Sequence, residues 1–168
     1  MAKAIGMIEY MTVSIGVDAT DTMLKTAEVE LIEAQVVCPG KYIALISGEL
    51  SAVNAAVEAS KKQFGQKLID SFILGNPHES IFPAIYGATE IENPRALGVA
   101  ETYSAASIIV AADVAAKTAM VDLIELRIAR GMCGKSYMYL TGEVAAVTAA
   151  IEKAKKELSS ATTTNINL

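Results

Sequence analysis

The chain has 168 residues, of which 52% are hydrophobic, and a formal net charge of −5. This length and composition allow a buried core, in one ordinary domain or two small ones, and exclude a disordered protein. The 14 basic and 19 acidic residues are mixed without blocks of one sign, so no basic stripe favours nucleic acid as a partner.

The first half of the chain predicts the order strand, helix, strand, strand, helix, strand, followed by at most a short helix. Apolar runs indicate the strands, and apolar residues three and four apart indicate the helices. Asp18 and Ser51 are the expected N-caps, and an apolar stripe from 53 to 60 is the expected buried face of the second helix. In chain order the segments are KAIGMIEYM, DATDTMLKTA, VELIEAQVV, YIALIS, SAVNAAVEASKKQF, KLIDSFILG and HESIFPAIYG.

The second half of the chain repeats the first at a shift of 92 residues, which becomes 94 after the second predicted strand. The two extra residues fall around 130–133, in the turn that corresponds to CPGK in the first half. A repeat of this length predicts a second domain with the same order of elements. Matched pairs are Gly6 and Gly98, Glu9 and Glu101, Asp21 and Asp113, Lys25 and Lys117, Gly40 and Gly134, and Lys41 and Lys135.

The order β-α-β-β-α-β is that of the ferredoxin-like split βαβ fold. We therefore predict an α+β protein of two tandem domains, at 1–88 and 96–168, joined by a linker at 89–95. The linker lies within GATEIENPRA, whose proline and polar residues disfavour regular structure. After KKEL the second half has only SSATTTNINL, so we expect its C-terminal end to be shortened and to hold at most a fourth strand.

The sequence shows no targeting or membrane-spanning pattern. The start MAKAIGMIEY lacks the charged start, apolar stretch and cleavage site of a signal peptide. The longest apolar stretch, at 102–112, is too short to span a bilayer. We expect a soluble protein that stays in the cytoplasm, where a structural disulfide between two cysteines is rare.

Cys38 follows an apolar run and precedes a Pro-Gly turn. Most lone cysteines are packed as small hydrophobic residues, but a turn leaves the backbone free to approach another molecule. One thiolate cannot hold a metal, whereas a threefold axis would supply three from three chains. Cys133 lies in the corresponding turn, one place off at the shift of 94, and we interpret it as a packed or exposed thiol.

The remaining polar candidates do not indicate catalysis. His78 is the only histidine, and without a nearby nucleophile or carboxylate pair we interpret it as a capping or loop residue. Glu9 and Glu101 occupy equivalent strand positions, which indicates repeated architecture. The sequence has no glycine-rich phosphate loop, zinc-spaced cysteine pairs or Ser-His-Asp set, so we do not expect an enzyme.

These residues together resemble the bacterial microcompartment shell proteins, in the tandem-domain class that assembles as trimers. The resemblance covers nearly the whole chain, and CPGK is most similar to the loop of the iron–sulfur shell protein of propanediol-utilisation compartments. NPHES matches the family's Pro-His segment in part, because Asn76 stands where arginine is common. The matching segments are AIGMIEYMTVSIGVDATDTMLKTA with ALGVAETYSAASIIVAADVAAKTA, and GKYIALISGELSAVNAAVEA with GKSYMYLTGEVAAVTAAIEK.

The resemblance implies a pseudohexagonal homotrimer in a microcompartment shell within the cytoplasm, with the loop after the second strand lining a central pore. Cys38 from three chains would bind one [4Fe-4S] cluster, leaving one iron for an exogenous ligand. Lys25 and Lys117 would make lateral contacts between trimers. Partners would be other shell proteins and, for electron transfer or cluster delivery across the shell, an encapsulated redox enzyme. The implied pore residues besides Cys38 are Pro39, Gly40, Lys41, Gly134 and Lys135.

Two alternatives remain open from the sequence. One is a passive shell tile whose open pore conducts metabolites. The other is a ferredoxin-like regulatory module that binds a small ligand between subunits. Colour distinguishes them from the first interpretation, because a thiolate-ligated cluster makes the protein brown when it is purified without oxygen.

Overall fold

The structure is a computed structural model that describes residues 4–161. The chain divides into two compact units between Pro77 and His78. The short helix that follows the fourth strand is therefore grouped with the second unit. The predicted linker at 89–95 contains no helix or strand, while the domain bounds at 88 and 96 stay predictions.

The first unit is a four-stranded sheet with two long helices. Its strand order is β2-β3-β1-β4, and β3 pairs antiparallel with both β1 and β2, as β4 does with β1. This is the split βαβ arrangement, as predicted. The elements are β1 (Ala4–Tyr10), α1 (Val13–Thr26), β2 (Glu30–Val37), β3 (Lys41–Gly48), α2 (Leu50–Phe64), a 3₁₀ turn (Gly65–Lys67) and β4 (Leu68–Leu74).

The second unit repeats this plan. Its sheet has the order β5-β7-β6, which matches β1-β3-β2 of the first unit. The predicted fourth strand of this half falls beyond residue 161, outside the described residues. The elements are α3 (Ile81–Tyr86), β5 (Ala96–Thr102), α4 (Ala105–Thr118), β6 (Val121–Arg127), β7 (Ser136–Gly142) and α5 (Val144–Ala161).

The core of the first unit lies between its sheet and the two helices α1 and α2. The predicted stripe is buried, since Val53, Ala56, Val57 and Ser60 are all inaccessible. Gly6 of β1 lies beneath α2, and a Cβ there would fall 2.7 Å from Val53 and 2.9 Å from Val57. A glycine at this position therefore allows the helix to approach the strand closely.

Both predicted N-caps were wrong. Helix α1 begins at Val13, after extended Thr12, so Asp18 lies within the helix. Only two residues separate α1 from β1, and the β-branched residues Val13, Ile15 and Val17, which are less typical of helices, obscured the helical pattern of this first turn. Helix α2 begins at Leu50 with Glu49 as the extended N-cap, so Ser51 lies in its first turn.

Among residues 4–161, none of the helices has the length and apolar character needed to cross a bilayer.

Candidate pore loops and assembly surfaces

Cys38 lies at the tip of the hairpin that joins β2 to β3, and its thiol is exposed. The turn is closed by the backbone N–H of Gly40, which donates to the carbonyl of Val37 at 3.0 Å. Gly40 has a φ of 98°, and a Cβ there would meet no atom within 4 Å. The turn thus requires glycine for its backbone conformation and has open space around it.

In each unit the lysine at the end of the loop between the second and third strands lies near the glutamate of the first strand. Lys41 lies 3.0 Å from Glu9, whose side chain is fully buried. In the second unit Lys135 lies 4.0 Å from Glu101, and its Nζ is 4.9 Å from the ring centroid of Tyr103. The equivalence predicted for Glu9 and Glu101 is confirmed, since each lies on the first strand and faces the third.

The loop between β6 and β7 is longer and has a different backbone from the Cys38 turn. Ala129 and Cys133 both have a φ of 54°, and Gly131 and Gly134 have φ values of 70° and 87°. At its base the N–H of Ala129 donates to the buried hydroxyl of Ser136 at 3.0 Å. Cys133 is exposed, although it does not occupy the position before a Pro-Gly turn that Cys38 has.

The donor set restricts how a metal could be bound. Residues 4–161 of one chain contain no group of three or more His, Cys, Asp or Glu side chains placed to hold a metal ion. Each chain offers one thiol at the β2–β3 turn, and that thiol is exposed. An iron–sulfur cluster needs several thiolates, so Cys38 fits such a cluster only when several chains share it.

The two candidate edge lysines lie on equivalent helices but in different surroundings. Lys25 pairs with Asp21 at 2.7 Å, and the side chains are 75% and 57% exposed. Lys117 pairs with Asp113 at the same distance, but these side chains are 41% and 6% exposed. Both lysines are accessible to a partner, while only the second has a buried counterion.

His78 lies just before α3 and acts as a loop residue, as predicted. Its ring Nδ1 lies 2.8 Å from the hydroxyl of Ser80 and accepts the N–H of Ser80 at 3.3 Å. Its own backbone N–H donates to Asp113 at 2.7 Å. Asn76, two residues earlier, has a φ of 56°. Asparagine adopts this left-handed conformation more readily than arginine, which accounts for the residue found here.

The two sheets differ in the exposure of the face turned away from α2 or α5. Ile5 and Met7 of β1 are fully buried. Leu97 and Val99, at the equivalent positions of β5, are 62% and 51% exposed. Two large apolar side chains are therefore adjacent on one face of β5 and in contact with water in the single chain.

The long helices α1 and α4, which follow the first strand of each unit, differ in exposure in the opposite sense. Val13 and Val17 lie one turn apart on α1 and are exposed, together with Leu24 on the same stripe. Ala105 and Ile109, the equivalent residues of α4, are fully buried. One unit therefore exposes the helix stripe and the other exposes the strand face.

The model of the BMC domain matches the chain twice, at residues 4–77 and 96–166. The chain belongs to the BMC-domain family. Each match corresponds to one of the two repeats. The fold-class prediction is confirmed, and the chain is a tandem BMC shell protein of a bacterial microcompartment.

Individual relatives agree with this assignment. The chain is 38% identical to the bacterial microcompartment shell protein PduT of Citrobacter freundii over 93% of this chain and 85% of that protein. It is 39% identical to the carboxysome shell protein CsoS1 of Prochlorococcus marinus, which covers 51% of this chain and 85% of CsoS1.

Solved structures show the same fold. A microcompartment protein from Desulfitobacterium hafniense superimposes with a TM-score of 0.87 at 45% identity, over 96% of this chain and 89% of that chain. A double-ringed trimeric shell protein of the RMM microcompartment superimposes with a TM-score of 0.73 at 19% identity, over 94% of this chain and 83% of that chain.

Sequence reasoning missed two features of this BMC protein. The first is the burial of Asp113. The repeat matches this residue with Asp21, which is exposed, and gives no sign that their surroundings differ. The second is the opposite exposure of equivalent apolar residues, such as Ile5 and Leu97. Asp21 and Asp113 are the same residue type, and Ile5 and Leu97 are both large aliphatic residues. The sequence therefore carries no signal for their difference in exposure.

Proposed function

We propose that this shell protein forms a homotrimer with a [4Fe-4S] cluster bound by Cys38 from three chains, for electron transfer or cluster delivery across the shell. The tile is structural and is not an enzyme. Lys25 and Lys117 make its lateral contacts with neighbouring shell proteins, and an encapsulated redox enzyme is the partner of the cluster. The single observation that carries the trimer is the opposite exposure of equivalent surfaces in the two units.

The two exposed surfaces are complementary within a ring. The α1 stripe (Val13, Val17 and Leu24) of one chain is proposed to cover the β5 face (Leu97 and Val99) of the next. Because the two surfaces are different parts of the chain, the contact is head-to-tail, and such contacts generate closed rings when the rotation permits. Three chains with two similar units each supply six similar wedges, so the trimer is the proposed closed form.

The cluster proposal rests on the Cys38 turn. The thiol is exposed at a hairpin tip, the CPGK loop resembles that of an iron–sulfur shell protein, and PduT is a relative over most of the chain. Three thiolates would hold three of the four irons and leave the fourth for an exogenous ligand. When bound, such a cluster supplies one-electron redox chemistry. Pro39, Gly40 and Lys41 would shape the pore around it, with Gly134 and Lys135 from the second unit.

The cluster is tested by comparing Cys38→Ser with Cys133→Ser in protein prepared without oxygen. Wild type should be brown and contain about four irons and four sulfides per trimer. Cys38→Ser should lose the iron, the acid-labile sulfide and the paramagnetic signal of the reduced cluster, because a hydroxyl is a much poorer iron ligand than a thiolate. Cys133→Ser is the matched control, since it removes the other exposed thiol and should keep the cluster.

Stability should separate ligation from misfolding. An exposed thiol contributes little to folding, so the free energy of unfolding of Cys38→Ser should lie within about 0.5 kcal/mol of the wild-type value. The variant should also remain trimeric. Cluster retention in Cys38→Ser, or equal loss in both variants, would reject the three-Cys38 site. Colourless wild type that takes up no iron after reconstitution with iron and sulfide would favour the passive metabolite pore.

The lateral role of the lysines is tested by charge reversal. Lys25→Glu and Lys117→Glu should leave the trimer intact, because both lysine side chains are exposed. Lys117→Glu also places a second carboxylate beside buried Asp113, so its folding is checked by urea denaturation before assembly is compared. Both should reduce the formation of flat sheets, observed by electron microscopy. Lys153→Glu on α5 is a suitable control, since it reverses another exposed lysine of a helical ion pair. Normal sheets from both edge variants would show that these lysines do not make the lateral contacts.

A further inference from the structure

Asp113 is a buried carboxylate that joins two parts of the second unit. Its Oδ1 accepts the backbone N–H of His78 at 2.7 Å. Its Oδ2 accepts from Nζ of Lys117 at 2.7 Å. The residue is only 4% exposed. A charged group buried to this extent needs such partners, and charge-assisted hydrogen bonds are the stronger kind. The carboxylate thus connects the segment before α3 to helix α4 and to the lysine one turn later.

The equivalent pair on α1 lacks this burial. Asp21 and Lys25 make a contact of the same length, but the Asp21 side chain is 57% exposed and the Lys25 side chain 75%. An exposed ion pair is weak because water competes for both charges and the long side chains lose entropy when they are held together. We therefore expect the ammonium of Lys25 to leave its carboxylate more readily than the ammonium of Lys117 does.

We infer that Asp113 is a positioning residue for Lys117, and that the two edge lysines of one chain are unequal as a result. This inference rests on the lateral role proposed above for both lysines. A side chain already held in one place loses less entropy when a partner binds. The edge with Lys117 should therefore bind a second trimer, through that trimer's carbonyl or carboxylate oxygens, more strongly than the edge with Lys25.

The first test measures the two lysines in the free trimer, before any sheet forms. An amine-reactive reagent is applied, and peptide mass spectrometry gives the labelling rate at each site. Lys117 should react about two- to fivefold more slowly than Lys25, because its side chain is less exposed and its ammonium is held against the buried carboxylate of Asp113. Asp113→Asn should raise the Lys117 rate, because the ion pair with the carboxylate is lost. Asp21→Asn is the matched control and should change the Lys25 rate little.

The choice of Asn separates positioning from folding. An amide oxygen can still accept the N–H of His78, so hydrogen exchange at the His78 amide should remain slow in Asp113→Asn. Asp113→Ala removes both acceptors and should make this exchange faster. A protein that keeps the His78 hydrogen bond but has lost the Asp113–Lys117 ion pair cannot owe its altered assembly to a displaced segment.

The second test measures assembly. The trimer concentration at which sheets first form should rise about three- to tenfold in Asp113→Asn and remain near wild type in Asp21→Asn. Equal labelling of the two lysines in wild-type trimer, or equal sensitivity of assembly to the two Asn substitutions, would overturn the inference. Normal sheets from both Lys25→Glu and Lys117→Glu would instead overturn the lateral role itself, so the two failures are distinguishable.

Discussion

In each unit, one residue of the long helix after the first strand and one residue of the third strand occupy equivalent core positions. The two units differ in which of these two residues is large. In the first unit Gly16 of α1 lies against Tyr42 of β3, where an added Cβ would fall 2.4 Å from the tyrosine. In the second unit the equivalent residues are Ile108 and Ser136, and both are fully buried. The large side chain comes from the strand in one unit and from the helix in the other.

This exchange shows what a repeated fold conserves. Strand pairing places Tyr42 opposite Tyr10 and Ser136 opposite Thr102, so the backbone frame is the same in both units. Interiors are close-packed, and a core tolerates a change at one position when a neighbour compensates in volume. At this pair of positions the larger residue therefore lies on the strand in the first unit and on the helix in the second.

The outer surfaces differ in a related manner. The first unit buries its strand face and exposes its helix stripe, whereas the second unit does the opposite. The core difference compensates within one unit. The surface difference, in the proposed ring, compensates between chains. Substitutions can test both differences, and a third difference at the buried hydroxyl of Tyr10. We expect the surface substitutions to have the largest effect, the core substitution a smaller one, and the Tyr10 substitution the smallest.

The largest expected effect is dissociation of the ring. Val17→Arg charges the α1 stripe and Leu97→Arg charges the β5 face, and a charge buried without a partner is strongly unfavourable. Each variant should be monomeric at micromolar concentration by light scattering. Neither should unfold, because both side chains are exposed in the single chain. Val17→Ala and Leu97→Ala are the controls and should weaken the trimer without abolishing it.

Mixing the two Arg variants tests whether the contact is head-to-tail. A Val17→Arg chain retains its β5 face, and a Leu97→Arg chain retains its α1 stripe. The mixture should therefore form a dimer through the one intact contact, and this dimer cannot grow further. Trimers from either variant alone, or a mixture that stays monomeric while both variants are folded, would contradict the proposed pairing of these surfaces.

The next effect concerns the exchanged core position. Gly16→Ala places a methyl group against the Cβ and ring of Tyr42, which cannot move away without a shift of the backbone. We expect a loss of about 1–3 kcal/mol in the free energy of unfolding, measured by urea denaturation. The same substitution should have the opposite sign in a Tyr42→Ser background, with a gain of about 0.5–1 kcal/mol from replacing glycine in a helix.

The sign change is the informative result, because Tyr42→Ser alone already destabilises the protein by leaving a cavity. A pair of residues in direct contact should give a large coupling in a double-mutant cycle. If Gly16→Ala costs the same free energy in both backgrounds, then Tyr42 is not what excludes a side chain at position 16, and the exchange of volume between the two units has another origin.

The overall fold was predictable because several local signals agreed. The repeat, the apolar runs and the helical stripe at 53–60 all indicated the same architecture, and each strand of the first unit was placed near its observed position. Helix starts were less predictable. The sequence offered Asp18 and Ser51 as caps, but α1 and α2 begin at Val13 and Leu50, so capping preference did not decide where these helices begin.

The candidate site was predictable only in part. The turn at Cys38 is visible in the sequence, since Pro39 and Gly40 mark it. The difference between Asp21 and Asp113 is not, because it depends on a segment near His78 that is 35 residues away in sequence. The exchange between Gly16 and Ile108 is equally hidden, since each residue is compatible with a helix and only the facing strand residue explains it.

The smallest expected effect concerns Tyr10, which also differs between the units. Its hydroxyl donates to the carbonyl of Ser60 at 3.1 Å and lies 2.8 Å from the Ser60 hydroxyl. The equivalent Thr102 instead donates to the nearby carbonyl of Ser104 at 2.8 Å. Tyr10→Phe should reduce the free energy of unfolding by about 1 kcal/mol at pH 8, the usual net contribution of one such hydrogen bond.

The pH dependence distinguishes this tyrosine from a merely packed ring. Burial raises the pKa of Tyr10 above its ordinary value of 10.0, more than the Ser60 hydrogen bond and Lys61 lower it. Above pH 10 the unfolded chain loses the tyrosine proton while the folded chain keeps it, so the folded state binds more protons and stability falls as pH rises. Tyr10→Phe lacks this group, so its deficit relative to wild type should shrink between pH 8 and pH values above 10.0. Parallel denaturation curves for both proteins at the two pH values provide the measurement, and an unchanged deficit would show that the Tyr10 hydroxyl titrates alike in the folded and unfolded chains.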